Sequence, residues 1–427
     1  MARGSAKSQT CDVLVIGGGP AGSTISALLS EKGWNVTVIE KDHHPRFHIG
    51  ESLVPCIMPI FERLGVADEI KRISFTKYGA DISRADGDGY RRFEFKEVNP
   101  NLPTSLQVSR AEFDELLLNN AQAKGANVLQ GTTATDISFD ADKGVAVTTV
   151  NDKGNATTWQ AKFLVDATGR DAILSSRLKL KVRDPHHTSA AIYAHFKGVE
   201  RRKGIDEGNT SVIWFDHGWL WVIAQPNGND SVGVVCSPEY LRTRKTSLER
   251  FLMDTIEACP QVATRMTHAK PVTETYAAGN YSYSSKAMYG DQFLLIGDAY
   301  AFLDPIFSTG VFLAMETGMQ GAEAIDACLK DPANKKTYLS DYARIIDRGL
   351  DRLAWFTYRF NDRAIQDLFL APINPLNMRK YIVMLLSGDV FRPFGGGIAI
   401  VLPLFKLAYH VVNLYRGLAR RLKAIRS

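Results

Sequence analysis

The chain has 427 residues, 45% of them apolar and 23% charged, which is the composition of an ordinary globular enzyme and excludes a fibrous, collagenous or disordered protein. Residues 390–427 carry seven basic side chains and no acid, so the formal net charge of +5 belongs to this tail and the rest of the chain has a net charge of −2. The main body therefore gives no indication of nucleic-acid binding. Five dispersed cysteines predict reduced thiols rather than a disulfide framework or a metal site, and the N-terminus has no apolar signal core, so we expect a cytoplasmic protein.

A glycine-rich turn follows the first apolar run of the chain. The run ends at Ile16, and Gly17-x-Gly19-x-x-Gly22 leads from it into a helical pattern. Glycines at this spacing allow a tight turn, the approach of a pyrophosphate, and close packing of helix on strand. A second strand ends at Glu40, eighteen residues past Gly22, where an acid accepts hydrogen bonds from an adenosine ribose. This segment is predicted to bind the phosphates of a dinucleotide at the helix N-terminus.

The remaining pattern alternates between helices and strands. Helices are predicted over 57–64, 246–258 and 309–328 and throughout the region beyond 336, and strands over 93–95, 105–108, 127–129, 134–139, 145–150, 156–160, 163–170, 190–197, 210–214, 220–224, 231–236 and 293–299. The turns near 17–22, 167–170 and 297–299 each follow a buried strand, so we expect them at one edge of a parallel sheet.

This order predicts an α/β fold with a Rossmann-like nucleotide-binding domain, an inserted β-rich substrate domain and a C-terminal helical region. The predicted boundaries are 10–80, 100–184 and 285–330 for the first domain, 81–99 and 185–284 for the second, and 331–427 for the third.

Three motifs resemble the FAD-dependent monooxygenases of the hydroxybenzoate-hydroxylase fold, whose nucleotide-binding domain is of the GR2 type. They are the glycine turn, Asp166-Ala-Thr-Gly169 and Gly297-Asp298. The resemblance implies bound FAD, with Arg110 near the pyrophosphate, Asp298 on the ribityl chain and Glu40 on the ribose. The FAD-binding residues implied or predicted are Gly17, Gly19, Ala21, Gly22, Glu40, Arg46, Ser52, Arg110, Asp166, Gly169, Asp298, Pro305, Gly310 and Val311.

A narrower resemblance is to the flavin-dependent halogenases, enzymes of secondary metabolism. It is carried by residues 46–55, 77–80, 218–223 and 304–311. It implies that reduced FAD, oxygen and chloride or bromide give hypohalous acid, that Ser308, Thr309 and Gly310 bind the halide, and that Lys77 directs the oxidant to an aromatic ring. Trp219 and Trp221 match the residues that keep substrate from the flavin. The family motif Trp-x-Trp-x-Ile-Pro ends here in Ala224.

The resemblance also implies partners. FADH2 comes from a separate flavin reductase. The glutamate that assists indole halogenation in the family has no match here, which favours an electron-rich phenol or pyrrole. Such a ring is either a free small molecule or a thioester on an acyl-carrier protein.

Two other functions stay open at the level of sequence. One is an FAD monooxygenase or a lipid oxidoreductase similar to geranylgeranyl reductase. The other is a non-catalytic flavoprotein that docks within a biosynthetic complex.

The C-terminal segment predicts a basic amphipathic helix. Its apolar positions recur every three or four residues, and its polar positions follow the opposite face. The apolar positions are Leu404, Leu407, Val411, Leu414, Leu418, Leu422 and Ile425, and the polar ones are Lys406, His410, Asn413, Arg416, Arg420 and Lys423. Three roles are open: the helix caps the substrate domain, lies peripherally on the inner membrane surface, or docks an acidic carrier protein.

Overall fold

The computed structural model describes residues 7–87, 89–371, 374, 377–391 and 397–426. Nineteen strands lie in this part of the chain: β1 (Lys7–Ile16), β2 (Val36–Ile39), β3 (Ser74–Lys77), β4 (Gly79–Arg84), β5 (Tyr90–Glu94), β6 (Ser105–Val108), β7 (Asn127–Leu129), β8 (Thr132–Asp140), β9 (Gly144–Asn151), β10 (Ala156–Asp166), β11 (Lys181–Lys197), β12 (Thr210–Phe215), β13 (Gly218–Ala224), β14 (Asn229–Cys236), β15 (Lys270–Pro271), β16 (Tyr276–Ser285), β17 (Tyr289–Gly290), β18 (Phe293–Leu295) and β19 (Ala301–Phe302).

Thirteen α-helices accompany these strands within the described ranges. They are α1 (Pro20–Glu31), α2 (Met58–Leu64), α3 (Ala67–Arg72), α4 (Arg110–Ala123), α5 (Ile173–Arg177), α6 (Pro238–Arg242), α7 (Leu248–Glu257), α8 (Pro260–Arg265), α9 (Gly310–Lys330), α10 (Lys335–Thr357), α11 (Arg363–Leu370), α12 (Met378–Ser387) and α13 (Gly397–Arg426). The predicted α/β class is confirmed.

The chain divides into two units, each built from three segments. The first comprises Met1–Phe75, Leu106–Thr188 and Tyr281–Arg348, and the second Thr76–Ser105, Ser189–Asn280 and Gly349–Ser427. Residues 349–427 thus group with the β-rich unit, whereas the sequence predicted a separate helical region from 331. The prediction missed this because helical periodicity reports which face of a helix is apolar, not the unit against which that face packs.

The first unit contains a mainly parallel sheet in the order β17-β18-β10-β1-β2-β7, extended by the antiparallel strands β8 and β9. Val13, Leu14 and Val15 are fully buried, as expected for a strand covered on both faces. Helix α9 packs closely on α1: a Cβ at Gly318 would lie 2.8 Å from the Ala21 carbonyl oxygen. Small residues therefore set the spacing of the two helices that flank the glycine turn.

The second unit contains an antiparallel run, β11-β14-β13-β12, which is continued by β4, parallel to β12, and then by β5, antiparallel to β4. One face of this sheet carries Ile192, Leu220 and Val232 at its centre, and Leu252 and Val262 of helices α7 and α8 pack in the same core. Three of the predicted strands, over 210–214, 220–224 and 231–236, appear within one or two residues of their expected bounds, while that over 190–197 is the second half of the longer β11.

The C-terminal helix forms as predicted, and the structure shows which of its faces packs against the second unit. Phe405 is fully buried, whereas Leu407, Val411, Leu414 and Leu418 are 55–69% exposed. Arg416, which belongs to the predicted polar face, forms an ion pair with Asp367. The side chains of Arg420, Leu422, Lys423 and Ile425 lie outside the described residues. Among the helices that the structure describes, none has the length and hydropathy that crossing a bilayer requires.

Candidate functional site

Three strand ends meet at one edge of the parallel sheet in the first unit. Ile16 of β1 pairs with Asp166 of β10, and Asp166 pairs with Leu295 of β18. The turns that follow these residues are the three that the sequence singled out. Their expected convergence is therefore present in the fold.

The glycine turn has no space for side chains at two of its positions. Gly17 has φ +107°, and a Cβ there would lie 2.3 Å from the Ala167 carbonyl oxygen; a Cβ at Gly22 would lie 1.9 Å from the Gly17 carbonyl oxygen. Helix α1 then begins with Gly19 as its N-cap, without a side-chain cap and without an acid in its first turn. Its first N–H groups are thus available to bind an anion.

Glu40 is held beside this turn. It is 4% exposed, and its carboxylate accepts hydrogen bonds from the Gly18 N–H at 2.6 Å and the Asp42 N–H at 2.8 Å. Each oxygen keeps a second lone pair for a hydroxyl donor. Its contact with a ribose remains a prediction.

Two arginines share one buried carboxylate near the turn. Arg110 donates to both oxygens of Asp114, at 2.8 and 2.9 Å, and to the Ile49 carbonyl at 2.9 Å. Arg46 Nη1 lies 3.5 Å from Asp114, and its Nε and Nη1 are buried without a hydrogen-bond partner. A Cβ at Gly19 would lie 3.7 Å from Arg46 Nη2. Arg46 thus has N–H donors near the glycine turn that make no hydrogen bond, whereas Arg110 is hydrogen-bonded to the loop around Ile49.

Asp166 organises the second turn. Its buried carboxylate accepts from the Thr168 N–H at 3.0 Å, the Thr168 hydroxyl at 2.6 Å and the Leu174 N–H at 2.7 Å. These contacts fix the path of the chain through Gly169, which has φ +60°. The structure gives Asp166 a role in shaping the turn. In the loop that contains Ile49, Ser52 is buried, and its backbone bridges to that of Gln107.

Asp298 lies in the third turn, in a short 3-10 helix, Gly297–Ala299. The preceding Gly297 N–H donates to the Thr317 hydroxyl at 2.8 Å, and the Tyr283 hydroxyl donates to the Asp298 carbonyl at 2.7 Å. Burial raises the pKa of the Asp298 carboxyl to about 6, although the charges of Arg170 and Arg110 act in the opposite direction. These contacts hold the backbone and leave the carboxylate for a hydroxyl ligand.

The start of α9 forms a second anion-compatible N-terminus. A 3-10 turn, Pro305–Phe307, precedes Ser308, which has φ +56°. Thr309 is the N-cap but makes no side-chain cap, and the first turn carries no acid. A Cβ at Gly310 would meet no atom within 4 Å. The Ser308 N–H donates to the Pro305 carbonyl at 2.9 Å, so the backbone donors that the start of α9 leaves beside open space are those of Thr309, Gly310 and Val311.

Lys77 ends strand β3 in the second unit and is 2% exposed. Its Nζ lies 5.4 Å from the ring centroid of Phe95, which is fully buried. Burial lowers the pKa of the Lys77 ammonium to about 7. The amine and ammonium forms are therefore both present near neutral pH.

This burial predicts a pH-dependent stability. The unfolded chain binds a proton at Lys77 up to a pH of about 10.5, whereas the folded chain releases it above about 7. The free energy of unfolding should therefore rise with pH between these values, by at most about 1.4 kcal/mol per unit. We expect Lys77→Met to be more stable than the wild type at pH 7 and to vary less with pH. Urea unfolding from pH 7 to 9.5, with the exposed Lys245→Met as control, measures this, and equal slopes for wild type and Lys77→Met would contradict it.

The two tryptophans of β13 share one side of the sheet, as their spacing predicts. Trp219 and Trp221 are 4% and 7% exposed, and their ring centroids are 5.7 Å apart. Trp221 Nε1 donates to the Ser231 hydroxyl at 3.1 Å, and the ring lies against Gly233, where a Cβ would be 2.4 Å away. Tyr193 and Tyr276 extend this aromatic group.

Comparison with known proteins identifies the family. Residues 10–350 match the family described as FAD binding domain. The chain is 30% identical over 404 residues to 1H-pyrrole-2-carbonyl-[peptidyl-carrier protein] chlorinase of Pseudomonas fluorescens, covering 89% of each chain. The chain belongs to the flavin-dependent halogenases.

Solved structures agree with this assignment. The flavin-dependent brominase Bmp2 superposes with a TM-score of 0.84 at 27% identity, covering 93% of this chain and 99% of that one. A flavoprotein/dehydrogenase from Cytophaga hutchinsonii superposes with a TM-score of 0.87 at 28% identity, covering 96% of this chain and all of that one. This halogenase is thus an FAD-dependent oxidoreductase.

The first unit of the halogenase fits FAD. The Nε and Nη1 of Arg46, which make no hydrogen bond, and the uncapped N-terminus of α1 lie near the glycine turn, where a pyrophosphate requires donors. Glu40 lies beside them for a ribose, and Asp298 for the hydroxyls of a ribityl chain. The residue roles remain predictions, with Arg46 the better placed of the two predicted arginines for the phosphates.

Several residues that contact the predicted site residues were not found from the sequence. Asp114 matters because it binds two arginines, and Tyr193, Tyr276 and Gly233 matter because they surround Trp221. The spacing of Arg110 and Asp114, four apart on one helix, was a usable signal. The aromatic contacts join strands distant in sequence and left no local signal. Among the described residues, no cluster of His, Cys, Asp or Glu has the arrangement of a metal site.

Proposed function

We propose that this halogenase takes FADH2 from a separate flavin reductase and halogenates an electron-rich ring. In this proposal Lys77 transfers the halogen to the ring. The burial of Lys77 is the observation that carries this proposal. When bound, FADH2 would supply two electrons to oxygen, and the halide would supply two more as it is oxidised to hypohalous acid, with the second oxygen atom leaving as water. The free backbone donors around Thr309 and the absence of acid in the first turn of α9 support halide binding there.

The amine of Lys77 suits the transfer step. With pKa about 7, it is available either as an ammonium that hydrogen-bonds the oxidant or as an amine that reacts with it. In the second case the amine and HOCl give a chloramine and water, and the ring then takes the chlorine while the displaced ring proton restores the amine.

We propose that the substrate is a pyrrole-type ring tethered to a carrier protein. The support is the Pseudomonas fluorescens chlorinase, whose named substrate is a pyrrole-2-carbonyl group on a peptidyl-carrier protein and whose length this chain matches almost throughout. An electron-rich ring is attacked by the oxidant without assistance from a catalytic base.

The test offers the enzyme FADH2, oxygen and chloride or bromide with pyrrole-2-carbonyl and phenol substrates, each free and carrier-bound. We expect the carrier-bound pyrrole to gain the halogen isotope pattern in mass spectra. The free substrates should react at least tenfold more slowly. Equal rates for free and carrier-bound rings would contradict the proposal that the substrate is carrier-bound. The absence of a halogenated product with every ring would contradict the proposed reaction.

A second candidate, dehydrogenation, is favoured by the similarity to the Cytophaga hutchinsonii flavoprotein/dehydrogenase. It predicts that oxidised FAD is reduced by substrate without oxygen or halide. Anaerobic bleaching of the flavin by a substrate would support this candidate.

A further inference from the structure

Helix α13 is fixed to the second unit by one face. The ring of Phe405 contacts that of Phe356 at a centroid distance of 5.2 Å, and the Tyr409 hydroxyl donates to Asp362 at 2.6 Å. Arg416, about two turns beyond Tyr409, pairs with Asp367. The helix is therefore an ordered part of the unit over these residues.

The other face of α13 exposes an apolar stripe. Leu407, Val411, Leu414 and Leu418 follow one another at intervals of four, three and four, and are 58, 55, 69 and 59% exposed, with Tyr415 beside them at 73%. These five account for more than a third of the fourteen large apolar side chains exposed among the described residues. The C-terminal stripe, as we call Leu407–Leu418 on this face, is about 17 Å long.

The stripe lies in the most basic segment of the chain. Residues 390–427 contain seven basic residues and no acid, and four of them follow the stripe directly, at positions 420, 421, 423 and 426. Arg421 is exposed. An exposed aliphatic stripe joined to a one-signed positive segment is the combination found in helices that lie in the plane of a membrane interface.

We propose that the C-terminal stripe binds the halogenase to an anionic lipid surface. A bilayer accepts a straight, convex aliphatic ridge without a preformed groove, whereas a protein partner requires one that matches it. Positive charge with no acid selects anionic headgroups. The helix lies on the surface of the bilayer rather than across it, because its other face, which carries Phe405 and Tyr409, packs against the second unit.

Co-sedimentation with vesicles of 40% phosphatidylglycerol in phosphatidylcholine tests this with the full-length holoenzyme. We expect wild-type protein to pellet with these vesicles, to stay in solution with pure phosphatidylcholine, and to be released by 0.5 M NaCl. The triple variant Leu407→Ser, Leu414→Ser, Leu418→Ser should bind at least tenfold more weakly. Its flavin absorbance and circular dichroism should be unchanged, because the replaced side chains are exposed.

A matched control alters apolar side chains of similar exposure elsewhere in the unit. Ile205→Ser with Val272→Ser, at 50 and 47% exposed, should bind vesicles like the wild type. The proposal is overturned if wild-type protein does not pellet with anionic vesicles, or if the triple variant pellets equally. It is also overturned if the triple variant changes only the molar mass in solution or the binding of an acidic carrier protein. Halogenation of a soluble substrate is measured separately, so that failure of lipid binding and failure of the proposed halogenation can be distinguished.

Discussion

Lys77→Met should abolish halogenation while leaving the oxidative half of the reaction intact. We expect FAD binding and oxygen consumption with FADH2 to continue, with hydrogen peroxide or free hypohalous acid released in place of halogenated product. The halogenation rate should fall roughly 10²–10⁴-fold, the range for removal of a residue that acts directly in catalysis. The methyl-thioether fills the same buried space beside Phe95 without a nitrogen.

Rates of product formation and peroxide release, measured together, check this prediction. Lys245→Met, which removes an exposed lysine of the same unit, should behave like the wild type. Lys77→Arg separates the two chemical roles: a hydrogen-bond donor is partly retained by arginine, whereas transfer through a haloamine is lost. Undiminished halogenation by Lys77→Met would refute the assigned role.

Arg110→Met should destabilise the protein by about 3–5 kcal/mol, because Asp114 would lose its principal partner in a buried site. Asp114 is fully buried and receives both of its strong hydrogen bonds from Arg110. Urea unfolding of the FAD-free protein measures this change without a contribution from the cofactor.

Arg46→Met is the matched variant. Arg46 makes only longer ion contacts, at 3.5 and 3.6 Å, so we expect the stability of the FAD-free protein to change by less than about 1 kcal/mol. Its FAD dissociation constant should rise roughly 10- to 100-fold, the loss expected for one charge-assisted hydrogen bond. If instead Arg46→Met unfolds the protein and Arg110→Met only weakens FAD binding, the roles given to the two arginines are reversed.

The sequence predicted those parts of the fold that depend on short-range pattern. The run before Gly17, the glycine spacing and the acid at Glu40 belong to one βαβ unit, in which every element is a near neighbour in sequence. The strands of the second unit were likewise visible from alternation and turn residues. The unequal contacts of Arg46 and Arg110 with Asp114 were not visible, because the contact between Asp114 and Arg46 joins residues 68 apart.

The face of the C-terminal helix shows the same limit. Both Phe405 and Leu407 lie on apolar stripes, and periodicity alone gives no reason to bury one rather than the other. The choice is made by Phe356 and Asp362, whose positions depend on how two other helices pack. A pattern thus predicted the helix but not its partner.

The discontinuous make-up of the FAD-binding unit has a consequence for biosynthesis. Strand β10 ends at Asp166, but its neighbour β18 begins only at Phe293, so a nascent chain carries an unpaired sheet edge through the synthesis of the whole intervening stretch. At ordinary translation rates this lasts on the order of ten seconds. During that time the edge of β10 is open to pairing with another chain, so aggregation competes with folding until β18 has been made.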